Sequence, residues 1–365
     1  MGIMISKKEW VGKSVYELTT PCIIAEEDVL ERNLKVLSDY FTGKICNLRP
    51  HFKSHKCVTL AKKQLELTNT AGITCAKLSE AEQLVAGGVK DVLIANQVVG
   101  KDKTARIAEM NKNAKVRIAV DSKTGIKQLN EAAVNANVKI GVLIEVDIGM
   151  NRGGVLPGEP VYELAELISS YPNLRLDGLQ SYEGHIVTLP DFDDRKNQVE
   201  KAMAPLIETR RKLEEMGYNI FISSGGTGTY DITGNIEGID ELQCGSYALM
   251  DSVYKKIRPE FDYARYVLVT VISKRESVIS TDVGLKGMGS EYGMPEVVGY
   301  PQAKPLYVAE EHAVFDNMAE VQIGDKLKLI PPHGCTTNNL HSYMWIAEND
   351  IIKDVWPIEG RGCIV

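Results

Sequence analysis

The sequence lacks several features that define whole classes of protein. Residues 1–10 contain no long apolar core of the kind that a signal peptide has, and no run elsewhere reaches the length of a membrane-spanning helix. The seven cysteines are odd in number and scattered, which is typical of reduced thiols rather than of a disulfide framework. The formal charge is −7 and no basic tract is present, so neither nucleic acid nor an anionic membrane is indicated as a partner. These absences predict a cytoplasmic protein.

The 365 residues are enough for one barrel-sized domain and a smaller one, and a hydrophobic content of 44% is ordinary for a globular protein. Short apolar segments alternate with helical patterns through the first two thirds of the chain. Strands are predicted at 22–27, 48–52, 72–76, 91–96, 116–121, 140–147, 174–182 and 219–224. Helices are predicted at 28–41, 79–86, 123–135 and 194–216. Eight apolar strands separated by helices predict a closed parallel (β/α)8 barrel, with an open doubly wound sheet as the alternative.

The pattern changes after about residue 251, where helical signals nearly disappear. Five β segments follow, at 267–273, 277–282, 304–309, 326–330 and 351–356. We therefore expect a barrel domain over residues 1–255 and a C-terminal β domain over residues 256–365. Residues 1–20 are short and mixed in pattern; they are included in the barrel domain, with packing against the β domain as the alternative.

The segment 49–57 reads RPHFKSHKC and contains an unusual number of cations beside apolar residues. Neighbouring positive charge and partial burial both disfavour a charged ammonium group. Lys53 is therefore a candidate for the neutral, nucleophilic amine that Schiff-base chemistry needs. A solvated surface turn would have the same composition.

Polar and glycine-rich segments follow three of the predicted strands, at the carboxyl ends where barrel active sites lie. They read DIGMNRGG at 147–154, YEGH at 182–185 and SSGGTGT at 223–229. Glycines in the last segment let backbone N–H groups approach an anion closely, and its hydroxyl groups can donate as well. The segment 223–229 is therefore predicted to bind a phosphate group, the alternative being an ordinary turn.

A second chemical signal lies in the C-terminal part, where residues 331–341 read PPHGCTTNNLH. His333 and Cys335 are two positions apart, so on an extended segment they would point to the same side, and both are ligands for a zinc-like ion. Two ligands leave positions open for water or substrate, as in a catalytic site. The alternative is that both are packing residues. His341 is a further candidate ligand.

The segment 49–56 resembles the RPHxKTHK element of the D-threonine aldolase and D-serine dehydratase family, pyridoxal-phosphate enzymes with an alanine-racemase-type barrel; Ser54 replaces the usual threonine. Segments 147–152 and 180–184 are similar to the family's D-T-G-M-x-R and Q-x-Y-x-G elements. The resemblance implies that Lys53 carries the cofactor and that Arg152 lies beside its phenolic oxygen. It implies that Tyr182 and His185 line the ring and the substrate side. The implied phosphate-binding residues are Gly226, Thr227, Gly245, Ser246 and Tyr247.

The same resemblance implies a divalent metal, zinc or manganese, on His333 and Cys335, and a homodimer in which the β domain of one subunit meets the barrel of the other. Family aldolases can have aspartate at the second ligand position, whereas the dehydratases have cysteine, as here. The expected reaction is cleavage of a D-3-hydroxy amino acid to glycine and an aldehyde, with His185 as a base. The alternatives are dehydration of D-serine or D-3-hydroxyaspartate with Lys53 removing the α-proton, racemisation, and non-catalytic carriage of pyridoxal phosphate.

Overall fold

The computed structural model describes residues 7–365, and residues 1–6 of the predicted amino-terminal segment lie outside this range. The chain forms two compact units that interleave along the sequence. The barrel unit comprises Ser38–Lys53, Leu60–Gly245 and Cys363–Val365. The β unit comprises the described residues up to Leu37 together with Ser54–Thr59 and Ser246–Gly362. The sequence had predicted two continuous domains, 1–255 and 256–365, and the boundary near residue 255 stays a prediction.

Strands and helices are numbered in chain order over residues 7–365. The strands are β1 (Cys22–Glu26), β2 (Asn47–Leu48), β3 (Ile73–Cys75), β4 (Asp91–Ile94), β5 (Lys115–Val120), β6 (Ile140–Glu145), β7 (Leu174–Gln180), β8 (Phe221–Ser224), β9 (Glu241–Leu242), β10 (Arg265–Arg275), β11 (Val278–Thr281), β12 (Glu296–Val297), β13 (Lys304–Val308), β14 (Ala313–Asp316), β15 (Lys326–Ile330), β16 (Tyr343–Glu348) and β17 (Ile351–Pro357). The helices are α1 (Lys7–Trp10), α2 (Glu27–Phe41), α3 (Val58–Leu65), α4 (Leu78–Ala86), α5 (Lys101–Met110), α6 (Lys123–Ala136), α7 (Glu159–Ser169), α8 (Phe192–Glu215), α9 (Tyr230–Thr233), α10 (Ser252–Ile257) and α11 (Gly334–Leu340).

Local sequence explains where the long helices begin and end. The Ser122 hydroxyl accepts a hydrogen bond from the backbone N–H of Gly125 at the start of α6, and Asp191 accepts one from Asp194 at the start of α8. Asn137 caps the carboxyl end of α6 and has the left-handed conformation (φ 54°) that asparagine tolerates. None of the helices in residues 7–365 is long and apolar enough to cross a membrane, and no disulfide joins the cysteines of this range.

The barrel unit is built on one parallel sheet in the order β2-β9-β8-β7-β6-β5-β4-β3. The two outer strands of this order also meet, because bridges join Leu48 to Thr70 and His51 to Thr74, with a hydrogen bond of 2.8 Å from the Thr74 N–H to the Pro50 carbonyl. All six residues of β6 are buried, as expected for a strand covered on both faces. The predicted parallel barrel with a C-terminal β domain is therefore confirmed, and the open doubly wound sheet is wrong.

Two strands assigned to the barrel differ from the sequence prediction, and β12, β14 and β16 of the β unit were not predicted. The segment predicted as the first barrel strand, 22–27, forms β1 in the sheet of the β unit, where it pairs antiparallel with β10 and parallel with β16. The eighth barrel strand is instead β9, a two-residue strand between β2 and β8. All five residues of β1 are buried, so its apolar pattern is the same as that of a barrel strand and does not reveal its partners.

The β unit has a nine-stranded sheet with the path β13-β14-β11-β10-β1-β16-β17, and β15 pairs with β10 and β12. The long strand β10 serves two cores, because successive side chains point to opposite faces. Val267, Val269 and Val271 belong to one buried cluster. Leu268 belongs to the other, which also contains Val15 and Leu18 from the amino-terminal segment, Ile24 and Trp345.

Candidate functional site

Lys53 lies in a short 3₁₀ turn, Phe52–Ser54, that follows β2. Its side chain is half-buried, and its Nζ is 5.7 Å from the centroid of the Tyr182 ring. Tyr182 comes two residues after β7, so both residues follow the carboxyl ends of barrel strands. The structure therefore brings together Lys53 and Tyr182 at the end of the barrel where active groups were predicted.

The other cations of segment 49–57 have partners of their own. Arg49 donates two hydrogen bonds to Glu241, of 2.7 and 2.8 Å, and one of 2.8 Å to Asp91. The Nδ1 atoms of His51 and His55 accept from the backbone N–H groups of Lys53 (3.4 Å) and Cys57 (3.2 Å). Two carboxylates therefore pair with Arg49, and its charge is largely balanced by Glu241 and Asp91.

Arg152 is exposed and its Cζ lies 5.7 Å from the centroid of Tyr182, the ring that Lys53 also faces. The preceding turn is held by Asp147, whose Oδ1 accepts from the N–H groups of Gly149 (2.9 Å) and Asn151 (3.1 Å). Gly149 has φ +119° and a Cβ there would come within 3.1 Å of Nε2 of His185. His185, itself exposed, therefore lies beside the turn that leads to Arg152.

The glycine-rich loop, residues 224–229, follows β8 and is buried throughout. A Cβ added to Gly226 would lie 3.4 Å from Cε2 of Tyr182, so this loop approaches the same ring as Lys53 and Arg152. A Cβ on Gly228 would lie 2.0 Å from the carbonyl oxygen of Val187, and Gly225 has φ +68°. Gly228 is required because the Val187 carbonyl leaves no room for a side chain. Gly225 is required because its backbone has a left-handed conformation.

Two buried carboxylates at this end of the barrel were not predicted as functional. Glu183 is 0% exposed and accepts hydrogen bonds from residues of the glycine-rich loop and α9. Burial raises the pKa of Glu145 to about 7, although a hydrogen bond from Gln180 opposes the shift. The only sequence signal for either is its position at or just after the carboxyl end of a predicted strand.

The three later candidates for phosphate binding lie on either side of a segment boundary in the sequence. Gly245 is the last residue of a barrel-unit segment, whereas Ser246 and Tyr247 begin a segment of the β unit. Tyr247 is completely buried, and its ring centroid lies 6.0 Å from that of Phe261. The role predicted for these residues stays a prediction.

In the β unit, His333 is the residue that caps the amino terminus of α11, and Cys335 lies in the first turn of that helix. The prediction of an extended segment is therefore wrong beyond His333. Burial alone would lower the pKa of His333, but hydrogen bonds with Cys335 and Glu291 raise it to about 9. The side chains of His333 and Cys335 are thus neighbours even though the segment is helical, and Glu291 adds a potential anion beside them.

His341 has a different environment from His333. Its Nε2 lies 2.6 Å from the carbonyl oxygen of Gly287, and burial lowers its pKa. A backbone partner accounts for this ring nitrogen. Among the described residues, no three His, Cys, Asp or Glu side chains converge as a metal-binding group.

Known proteins resemble the chain along almost its whole length. A family model described as the N-terminal domain of alanine racemase matches residues 26–253, and one described as a serine dehydratase domain matches residues 264–347. A 3-hydroxy-D-aspartate aldolase of Paracoccus denitrificans (strain Pd 1222) is 36% identical, and the match covers 96% of this chain and 94% of that protein.

Two further proteins, both D-threonine aldolases, are similar. One, from an Arthrobacter species, is 32% identical, with 99% of this chain and 97% of that protein covered. The crystal structure of the other, from Filomicrobium marinum, has a TM-score of 0.94 at 33% identity and covers 97% of this chain and 99% of its own. These matches confirm the resemblance seen in segment 49–56: the chain belongs to the D-threonine aldolase and D-serine dehydratase family, with an alanine-racemase-type barrel followed by a serine-dehydratase-type domain.

Proposed function

We propose that the protein is a lyase that depends on pyridoxal phosphate and a divalent metal and cleaves D-3-hydroxy amino acids to glycine and an aldehyde. One observation carries the proposal: Lys53 and Arg152 each lie 5.7 Å from the ring centroid of Tyr182, and the glycine-rich loop approaches the same ring. An amine, a cation and a glycine-rich loop that could bind a phosphate are the groups that this cofactor needs.

The residues around Tyr182 fit pyridoxal phosphate. Lys53 would supply the amine that binds the cofactor's aldehyde, Arg152 would donate to its phenolic oxygen, and Gly226 and Thr227 would hold its phosphate. When bound, the cofactor accepts the electron pair of a bond broken at the substrate α-carbon. Tyr182 would limit the room beside the cofactor ring. Lys53 Nζ and Arg152 Cζ both lie 5.7 Å from the centroid of its own ring.

His333 and Cys335 fit a divalent metal. Their side chains are neighbours, and the anionic surroundings that raise the pKa of His333 also attract a cation. A nitrogen and a sulfur ligand suit zinc better than manganese. Glu291 accepts a 2.7 Å hydrogen bond from the Thr336 hydroxyl and contacts Nδ1 of His333, so it would orient the His333 ring toward the ion through its other nitrogen.

His185 is the proposed base. Its exposed ring lies beside the turn that leads to Arg152. Removal of the proton from the substrate's β-hydroxyl group is the step that retro-aldol cleavage requires. The metal would supply Lewis-acid polarisation of that hydroxyl oxygen.

Dehydration to a 2-oxo acid and ammonia is the second candidate, and Cys335 favours it, because the resemblance associates cysteine at this position with the dehydratases. The two proteins of known activity that match this chain at 36% and 32% identity are both named aldolases, which supports the first candidate. The resemblance also supports a homodimer, which analytical ultracentrifugation would test.

Product analysis tests the proposal. The purified protein is incubated with pyridoxal phosphate, zinc or manganese, and D-threonine or D-3-hydroxyaspartate, with the L-enantiomers as matched controls. Glycine with acetaldehyde or glyoxylate, from the D-enantiomers only, is the expected result. Ammonia with 2-oxobutyrate or oxaloacetate would establish a dehydratase instead, and no product with any of the four substrates would contradict both.

A further inference from the structure

We propose that Glu183 is a positioning residue that fixes the glycine-rich loop in the shape that binds the cofactor phosphate. The inference rests on the proposed function, because it assigns the phosphate to this loop. Glu183 directly follows Tyr182 in the chain. The sequence did not predict a functional role for it.

The contacts of Glu183 join both ends of the loop. Its Oε1 accepts hydrogen bonds from the hydroxyl groups of Thr229 (2.7 Å) and Thr233 (2.6 Å). Its Oε2 accepts one from the backbone N–H of Gly225 (3.3 Å) and a weaker one from the Ser224 hydroxyl (3.5 Å). One carboxylate therefore holds the first residues of the loop, its last residue and the following helix α9.

The burial of this carboxylate needs several donors. Glu183 is 0% exposed, and a buried carboxylate is costly unless hydrogen bonds replace its water. Every donor in this set comes from the loop or from the helix that follows it. The loop and the carboxylate therefore stabilise one another, and a change in one displaces the other.

The packing restricts the backbone conformations of the loop in which its N–H groups could face a phosphate. Gly228 is pressed against the Val187 carbonyl and Gly225 has a left-handed conformation. Glu183 lies between Tyr182 and Val187 in the chain, so it holds the loop from the same segment against which the loop packs. Thr229 and Thr233 donate to Glu183, whereas the family resemblance assigns Thr227 to the phosphate.

Glu183→Gln is the decisive variant because it keeps size and shape. A glutamine oxygen can accept from the two threonines, but its NH₂ group then faces the N–H of Gly225, donor against donor. The loop must shift at Gly225, and binding of the phosphate should weaken about ten-fold or more. Binding of the ring and aldehyde at Lys53 should not change.

The experiment compares pyridoxal phosphate with pyridoxal, which lacks the phosphate, by titration of each metal-loaded protein and measurement of the cofactor's absorbance change. The matched control is Glu80→Gln. Glu80 is also buried (1% exposed), but its carboxylate accepts from the backbone N–H groups of Ala76 and Lys77 at the start of α4. Far-UV circular dichroism and a thermal transition establish that each variant is folded.

In Glu183→Gln, the ratio of the dissociation constant of pyridoxal to that of pyridoxal phosphate should fall about ten-fold or more, and the constant of pyridoxal itself should not change. The same ratio in Glu80→Gln should equal that of the parent protein. A ratio equal to the parent's would overturn the role of Glu183 while leaving the proposed function intact. A parent protein that binds neither compound, or binds both equally, would overturn the phosphate loop and this inference together. If Glu183→Gln does not fold, Thr233→Val, which deletes one donor at constant shape, must lower the ratio; an unchanged ratio there overturns the inference.

Discussion

Arg49→Met should destabilise the barrel unit more than any other single loss of an ion pair described above. Arg49 is 1% exposed, and its guanidinium group joins Glu241 of β9, Asp91 of β4 and the Ala71 carbonyl (2.9 Å). Burial would lower the pKa of Arg49, but the hydrogen bonds and charges of these two carboxylates raise it, so the group is charged. The substitution keeps an unbranched apolar stem and removes the charged guanidinium group.

The expected loss in the free energy of unfolding depends on which carboxylates still have a partner after the substitution. Asp91 keeps a 2.7 Å contact with Arg117 and lies 3.7 Å from Lys115, so it stays paired. Glu241, 7% exposed, loses its bidentate partner. Removing one member of a buried ion pair costs roughly 3–5 kcal/mol of the free energy of unfolding. Most of that loss should come from Glu241.

The assay is urea unfolding followed by far-UV circular dichroism, because Trp10, Trp345 and Trp356 all lie in the β unit and their fluorescence would report on that unit. The matched control is Arg106→Met. Arg106 also makes a bidentate contact with a glutamate, Glu82 (2.7 and 2.6 Å).

Those two side chains are 41% and 31% exposed, so the control should cost only about 0–1 kcal/mol. The double variant Arg49→Met/Glu241→Met should recover most of the loss, because it leaves no unpaired charge. The reasoning is refuted if Arg49→Met costs no more than Arg106→Met, or if the double variant is less stable than the single one.

Three further outcomes are expected. The pKa of Glu145 is raised from 4.5 to about 7, so the native protein holds a proton that the unfolded chain releases. The free energy of unfolding should therefore fall as the pH rises from 4.5 to about 7. In Glu145→Gln, the urea midpoint should not show the contribution of this group to that fall. Lys53→Ala should lose the yellow absorbance of bound pyridoxal phosphate, and its retention would contradict the cofactor assignment. His333→Ala and Cys335→Ser should each lose metal on dialysis, measured by mass spectrometry, whereas His341→Ala should keep it; equal metal contents would contradict the assigned pair.

Sequence reasoning predicted the barrel because its strands are apolar over their whole length and end in polar or glycine-rich segments. Strand β6 is buried at every position, and the segment that follows it leads to Arg152. Segment 223–229 likewise follows β8 and lies at Tyr182. These features are local, and local patterns are readable from one sequence.

Features that depend on distant partners could not be predicted. The pattern of β1 is compatible with either sheet, and its pairing with β10 and β16, more than 200 residues away in the chain, is what decides. Strand β9 has only two residues, too few for any periodicity. The helix at Cys335 was missed because residues 334–340 are short and rich in threonine and asparagine, which favour turns and helix caps over helix interiors.

Segment 49–57 combines a structural residue and a candidate reactive one. Arg49 forms ion pairs with Asp91 and Glu241, the first residues of β4 and β9, and so links these strands. Lys53, four positions later, faces Tyr182 beyond the end of β7. The reactivity proposed for Lys53 therefore cannot come from Arg49. We propose that partial burial of Lys53 and the charge of Arg152, which lies at the same 5.7 Å from the Tyr182 ring centroid, favour the neutral amine.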